Sequence, residues 1–350
     1  MTRSSIPALL LLVSIAAAIP RVSAQSNPRL WNFFEQNVGL SQDQIDDIRS
    51  GIPVVKVLPA RIPAEVFLFG AVYIHAEPES YLRFVLDFDR FGRLPGSLAL
   101  GVFGNPPQLA DLNGLSLDPD DIRDLEKCYP GECMIQLPGS TMEELHRSID
   151  WSAPDANRQV DQFMRNKALH LLLAYRREGN GALGVYNDKR DPQEVARQFA
   201  FMLSYTKALP EQLPDFYNYL LAYPEAKPAN VEDRFFWTEV KFGLRPTLRM
   251  IHLVAMRGAP DADVAYAIAR KQLYSSHYFD TALDLSFCVR DHDSPMHPGS
   301  YLIMAMGTEQ SSLVGLRGEM IRRVAVGRSA ADLQAALTNI RNALEADRNP

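Results

Sequence analysis

The residues of this 350-residue chain best suited to chemistry gather in its last third. His252 interrupts an apolar run, His277 is followed closely by Asp280, and Glu239 stands in Trp237-Thr238-Glu239-Val240-Lys241. A histidine beside a carboxylate can act as acid or base near neutral pH. His252, His277, Asp280 and Glu239 are therefore the catalytic candidates. Their spacing matches no catalytic signature, and satisfied or solvent-facing polar residues would give the same pattern. A second set is apolar. Strand alternation puts Leu248, Met250, His252, Val254 and Met256 on one face, while Leu302, Met304 and Met306 share a face two strands later. Methionine is flexible and polarizable, so such faces adapt to an irregular apolar ligand. Trp237, Met250, His252, Met256, Met304 and Met306 are the candidate ligand-binding residues, against the plainer reading of a hydrophobic core.

Asp291-His292-Asp293 with His297 is the densest set of metal-capable side chains, but Pro295, Pro298 and Gly299 around it describe a solvated turn. Asp111, Asn113, Ser116 and Asp118 lack the glycine and terminal glutamate of a calcium loop, and Asp118 before Pro119 reads better as a helix cap. No metal or other cofactor is expected. Cys128 and Cys133 are separated by Tyr-Pro-Gly-Glu, whose Pro-Gly turn would fold the two thiols together, and this predicts a disulfide. Cys288, in the apolar run 283–289, reads as a small buried hydrophobe. Nucleophile-elbow, zinc-protease, P-loop and dinucleotide fingerprints are absent from the sequence. With 36 basic and 42 acidic residues the formal charge is −6, which speaks against a broad nucleic-acid surface. Arg317, Arg322, Arg323 and Arg328, with Glu319 the one acid among them, could meet an anionic head group at a cavity mouth or membrane surface; a solvated basic stretch is the plainer reading.

Arg3, the apolar run 6–18 and Val22-Ser23-Ala24 read as a signal peptide cleaved after Ala24, which predicts a periplasmic or secreted protein. No later stretch is apolar and long enough for a transmembrane helix, so a soluble mature chain is expected. The elements that must position the candidate residues follow from periodicity. Residues 25–53 form a helical lead-in with a Ser41/Gln44 capping pattern. Residues 65–76 (EVFLFGAVYIHA) form a strand, Pro78-Glu79-Ser80 opens a helix, and 98–103 form a second strand. From about 106 to 223 the chain is helix and turn, including helices opened by Ser140-Thr141 and Asp191-Pro192 and a long amphipathic helix over 154–177. Five strand-length blocks between 234 and 311, joined by short links, predict an antiparallel meander. Ser329 then caps a closing helix whose stripe is Leu333, Leu337, Ile340 and Leu344.

This order of elements, with VYIHAEPESYLRFVLDFD at 72–89 as first strand and helix start, resembles the START and polyketide-cyclase-like (SRPBCC, helix-grip) superfamily. The resemblance covers 54 to about 103 and 232–347, within a domain spanning 54–347. It implies an α+β fold in which a curved antiparallel sheet wraps around the C-terminal helix, with 106–223 as a large helical insertion. It also implies a cavity between sheet and helix for an apolar or lipid-like small molecule. A periplasmic enzyme of cyclase or hydrolase type using a His/acid pair, or a structural envelope protein, are the alternatives. The whole chain is also similar to exported bacterial proteins with a Cys-x-Pro-Gly-x-Cys segment, a likeness that carries no activity.

Overall fold

The computed structural model describes residues 27–93, 96–292 and 299–346. The leader expected at 1–24 lies outside the described residues, as do Asp293 and His297. Eight strands form one antiparallel sheet: β1 (Val54–Leu58), β2 (Glu65–Ile74), β3 (Ser97–Val102), β4 (Val231–Phe242), β5 (Arg245–Arg257), β6 (Val264–Ser275), β7 (Thr281–Arg290) and β8 (Ser300–Glu309). Their spatial order is β1-β2-β8-β7-β6-β5-β4-β3. Strands β4 to β8 are the expected meander, and β8 then pairs along its length with β2, Ser300 opposite Ile74 and Glu309 opposite Glu65. β1 is a finding beyond the sequence reading. It is a five-residue edge strand between Pro53 and Pro59, too short for alternation to stand out.

Helices cover both faces. The C-terminal helix, Gly315–Ala346, packs chiefly on β1 and β2 through Leu333, Leu337 and Leu344. Gly70 makes that approach possible: a Cβ there would lie 2.8 Å from Leu337 Cδ1 and 3.1 Å from Leu333 Cδ2. Burying three leucines contributes about 1.5–3 kcal/mol each. Glu345 accepts a hydrogen bond from the His75 backbone at 3.0 Å, and Arg341 donates to the Gly51 carbonyl. On the same face, helix Pro78–Leu86 lies over β6 and β7, with Tyr81 and Val85 buried.

The opposite face carries the insertion and the lead-in. Helix Ala156–Glu178 supplies Val160, Phe163, Met164, Leu172 and Tyr175 to the core there, joined by Phe199, Phe216 and Tyr219 from later helices. Leu30, Trp31, Phe34, Ile45 and Ile48 of the lead-in pack on Phe69, Tyr73, Tyr301 and Ile303. The capping box is present, Ser41 and Gln44 bonding reciprocally. The molecule is thus α+β, with the antiparallel sheet between a C-terminal helix and a helical insertion.

Three boundaries differ from expectation. The last helix begins at Gly315, not at Ser329, because its first half buries Gly318 alone and so shows no core-facing stripe. The helix assigned to Ser140 starts at Gly139 with Pro138 in the cap position, leaving Ser140 inside the first turn. The helix assigned to Asp191 starts at Val195, since Gln193–Glu194 instead pair with Val185–Tyr186. Cys128 and Cys133 are disulfide-bonded, their Cα atoms 4.5 Å apart. Gly131 at φ 88° supplies the positive dihedral that the Pro-Gly turn requires, and Glu132 N–H donates to the Tyr129 carbonyl at 2.9 Å. Cys288 is a buried free thiol, its pKa raised by burial to about 12.

Candidate functional site

The candidate residues divide between the two faces. Met250, His252 and Met256 of β5 and Trp237 of β4 point under the insertion, whereas Met304 and Met306 of β8 lie on the C-terminal-helix face. The bulge between Met250 and Ile251 leaves this alternation intact on either side. The six side chains therefore do not line one surface. Among the described residues, no hydrogen bond joins any two of His252, His277, Asp280 and Glu239; the first three are each built into a different contact.

His252 anchors a chain of polar groups inside the insertion face. Lys271 donates to Tyr175 Oη at 3.3 Å, Tyr175 Oη is 3.0 Å from His252 Nδ1, and His252 Nε2 is 2.9 Å from Asp233 Oδ1. One proton arrangement satisfies all of it: the tyrosine hydroxyl donates to Nδ1 while a neutral imidazole donates from Nε2. Asp233 also accepts from Tyr219 Oη at 2.9 Å and from Lys227 at 2.6 Å, and against burial His252 first, then Lys227 and Tyr219, hold its carboxyl at about 2. Burial drives the His252 pKa down to about 4, outweighing the upward pull of Asp233. The order Tyr-His-Asp has the form of a nucleophilic triad, but Tyr175, His252 and Lys271 are all buried. Burial pushes the Tyr175 hydroxyl well above its usual value, opposite to the activation a nucleophile needs. Lys271 has no carboxylate partner among the described residues; it donates to Asn180 Oδ1 and lies over the Phe199 ring at 3.8 Å. Burial holds its amine well below the usual lysine range. The network fastens helix Ala156–Glu178 to β4, β5 and β6.

His277 and Asp280 fasten the insertion at the opposite end of β5. His277 Nε2 is 2.9 Å from Asp121 Oδ2 and Nδ1 is 3.0 Å from the Met134 carbonyl, so both nitrogens face acceptors. Arg245 spans Asp121 and Asp124 at 2.9 Å each. Asp280 is fully buried and accepts from Gln136 Nε2 at 2.7 Å and from the Ser311 backbone, with Lys189 at 3.7 Å. Burial raises its carboxyl above the usual range. Glu239 is half-buried, pushed up by burial and then by Asp118, Asp121 and Asp161. Trp237 donates to the Asp111 carbonyl at 2.9 Å, its indole lying against Gly101, where a Cβ would come within 2.3 Å of Nε1. In the Asp291-His292 loop, Asp291 accepts from Tyr73 Oη at 2.8 Å and His292 is 3.3 Å from Asp263. Among the described residues no group of three or more His, Cys, Asp or Glu side chains is arranged to hold a metal.

The C-terminal-helix face holds a different arrangement, which the sequence reading missed. The C-terminal helix lies over β1 and β2, and helix Pro78–Leu86 covers β6 and β7 near Ser286 and Cys288. Beside both helices an open strip crosses the sheet from β8 to β4, in which Met306, Thr308, Asp284, Arg270, Arg249 and Thr238 are half-buried. Beneath and beside it lie buried Met304, Ile251 and Phe236 and half-buried Phe88. At its centre are charges: Arg270 pairs with Asp284 at 3.4 Å, while Arg249 donates from Nε to Gln272 at 3.1 Å and stacks 5.2 Å from the Phe279 ring. The terminal nitrogens of Arg249 have no hydrogen-bond partner among the described residues, and no carboxylate lies within ion-pair distance. Burial pulls this guanidinium below its ordinary value, with Arg270 adding to the cost and Asp284 only partly offsetting it. Such a group favours an anion that would complete its fork. The signal was present in the sequence, since Arg249, Arg270, Gln272 and Asp284 are polar positions in apolar strands, and Arg249 alternates with Met250 and His252 and so faces the other way. Searches against protein-family models and curated proteins found no match for this chain.

Proposed function

We propose that the protein binds an amphipathic, lipid-like small molecule along the open strip that crosses the sheet from β8 to β4, beside the C-terminal helix and helix Pro78–Leu86. The acidic or otherwise electron-rich end would meet Arg249. The observation that supports this most is Arg249 itself: a half-buried cation whose terminal nitrogens have no partner among the described residues, on a face that carries half-buried Met306 over buried Met304. Apolar lining with a few convergent polar groups is the usual composition of a small-molecule site. The reading agrees with the START-like resemblance in its location but makes no use of a catalytic group. It also puts the protein outside the cytoplasm, in keeping with the leader-like first 24 residues and the Cys128–Cys133 disulfide. No helix among the described residues is long and apolar enough to cross a membrane.

Native mass spectrometry of the purified protein, followed by organic extraction, tests the proposal. A retained small-molecule adduct, or tight uptake of a fluorescent fatty acid, is expected. Arg249→Gln should weaken a carboxylate-bearing ligand by about 1.5–3 kcal/mol, roughly ten- to a hundredfold, while leaving a neutral analogue little changed. A bare protein that takes up neither probe would overturn it.

A further inference from the structure

We propose that one end of the protein, formed by the first half of the C-terminal helix and the tip of the β4–β5 hairpin, docks on an anionic lipid bilayer. On that half-helix Leu316 is 93 %, Met320 76 % and Val324 72 % exposed, an unusual run of large apolar side chains in water. At about 100° per residue the three fall within about 80° of arc, one ridge along the helix. The orientation is fixed from behind: Gly318 lies against Leu313, Arg322 donates to the Pro63 carbonyl, and Val326 packs toward the core. Arg317 and Arg328 fall on one flank of the ridge and Arg323 on the other, all exposed and without an ion pair among the described residues. Glu319 is the one acid between Gly315 and Arg328. An apolar ridge with arginine flanks is the composition of a helix that lies in a membrane interface, its apolar side chains among the acyl chains and its guanidinium groups on phosphate.

A second exposed leucine, at the hairpin tip, lies at the same end of the sheet. Leu244, 97 % exposed, occupies that tip, which Tyr278 Oη holds by accepting from the backbone N–H groups of Leu244 and Arg245 at 2.9 and 3.0 Å. β4 ends and β5 begins there, at the end of the sheet where β8 ends, β2 begins and the C-terminal helix starts. The ridge sits over the β1–β2 edge, so about five strand spacings, on the order of 24 Å, separate it from Leu244. Both stand at one end of the sheet, where a bilayer would approach them. Three unpaired arginines also oppose a second copy of the same ridge and favour phosphate.

Flotation of the chain beginning at Gln25 with vesicles tests this, because that form excludes the apolar first 24 residues from the readout. Binding is expected to vesicles of equal phosphatidylglycerol and phosphatidylcholine, to weaken in high salt, and to be absent with phosphatidylcholine alone. Leu316→Ser with Met320→Ser and Val324→Ser, and separately Arg317→Glu with Arg323→Glu, should each weaken binding by about tenfold or more with an unchanged melting temperature. Leu244→Ser should weaken it by a smaller factor. Equal binding to both vesicle types, or variants that bind like the parent, would overturn the proposal. So would sedimentation showing a dimer that the serine variant dissociates, since the ridge would then belong to a second copy.

Discussion

Acidification should reach this fold first through His252. The neutral imidazole sits between Tyr175 and Asp233, and burial lowers its pKa from 6.5 to about 4. Below about 6.5 the unfolded chain takes up a proton that the folded chain resists. The His252 contribution is therefore complete above 6.5, falls as the pH drops, and levels off below about 4. At 1.36 kcal/mol per pKa unit the loss comes to about 3 kcal/mol. Asp233 acts in a lower window: with a folded pKa of about 2 against 3.8, its stabilisation is present above 3.8 and is lost as pH falls toward 2. Asp188, Asp280 and Glu309 work in the opposite sense, because burial raises their pKa values and folding then favours their protonated forms as the pH falls. A comparison with His252→Gln cancels those groups. Urea unfolding of both proteins, followed by circular dichroism from pH 7 to pH 4, should show the parent's advantage shrinking by about 3 kcal/mol. An advantage that widens on acidification would mean a charged His252 paired with Asp233, and one that stays constant would mean no linkage. Either result refutes the reasoning.

Other expectations follow from packing and covalent structure. Alkylation of the non-reduced native protein should leave Cys128 and Cys133 unlabelled, and Cys288 should react only after unfolding; mass mapping reads both. Replacing both disulfide cysteines with serine should cost toward the low end of ~2–4 kcal/mol in denaturant unfolding, because the closed loop is short. Leu337→Ala should cost about 2–5 kcal/mol in the same assay and raise proteolysis within the C-terminal helix, whose docking it loosens. Gly101→Ala should cost about 1–3 kcal/mol and shift the tryptophan emission, because the new methyl group collides with the Trp237 indole.

Much of the frame was legible because it rests on local pattern. β2 reads as a strand from EVFLFGAVYI alone, and all ten of its residues are buried. The meander follows from short links between apolar blocks, and the disulfide follows from a Pro-Gly turn whose geometry any oxidised Cys-x-Pro-Gly-x-Cys segment would share. What stayed hidden depends on partners far along the chain. His252 finds Tyr175 and Asp233, and His277 finds Asp121, 156 positions away. No spacing rule pairs them. Alternation showed that Met256 and Met304 each belong to a face, but which face could not be read until the insertion was seen to cover one side and the C-terminal helix the other. The start of that helix was missed for a related reason: Leu316, Met320 and Val324 form a stripe, but it points to solvent, and a search for core periodicity passes over it.

The most direct test of the binding site is a titration of a fluorescent fatty acid into the parent protein and Met306→Trp. Met306 is half-buried on the open strip, where an indole would occupy the space assigned to the ligand. Binding to the parent and a loss of affinity of about tenfold or more in the variant, with an unchanged urea midpoint, is the expected result. Equal affinity of the two proteins would contradict the assignment of the strip as the site.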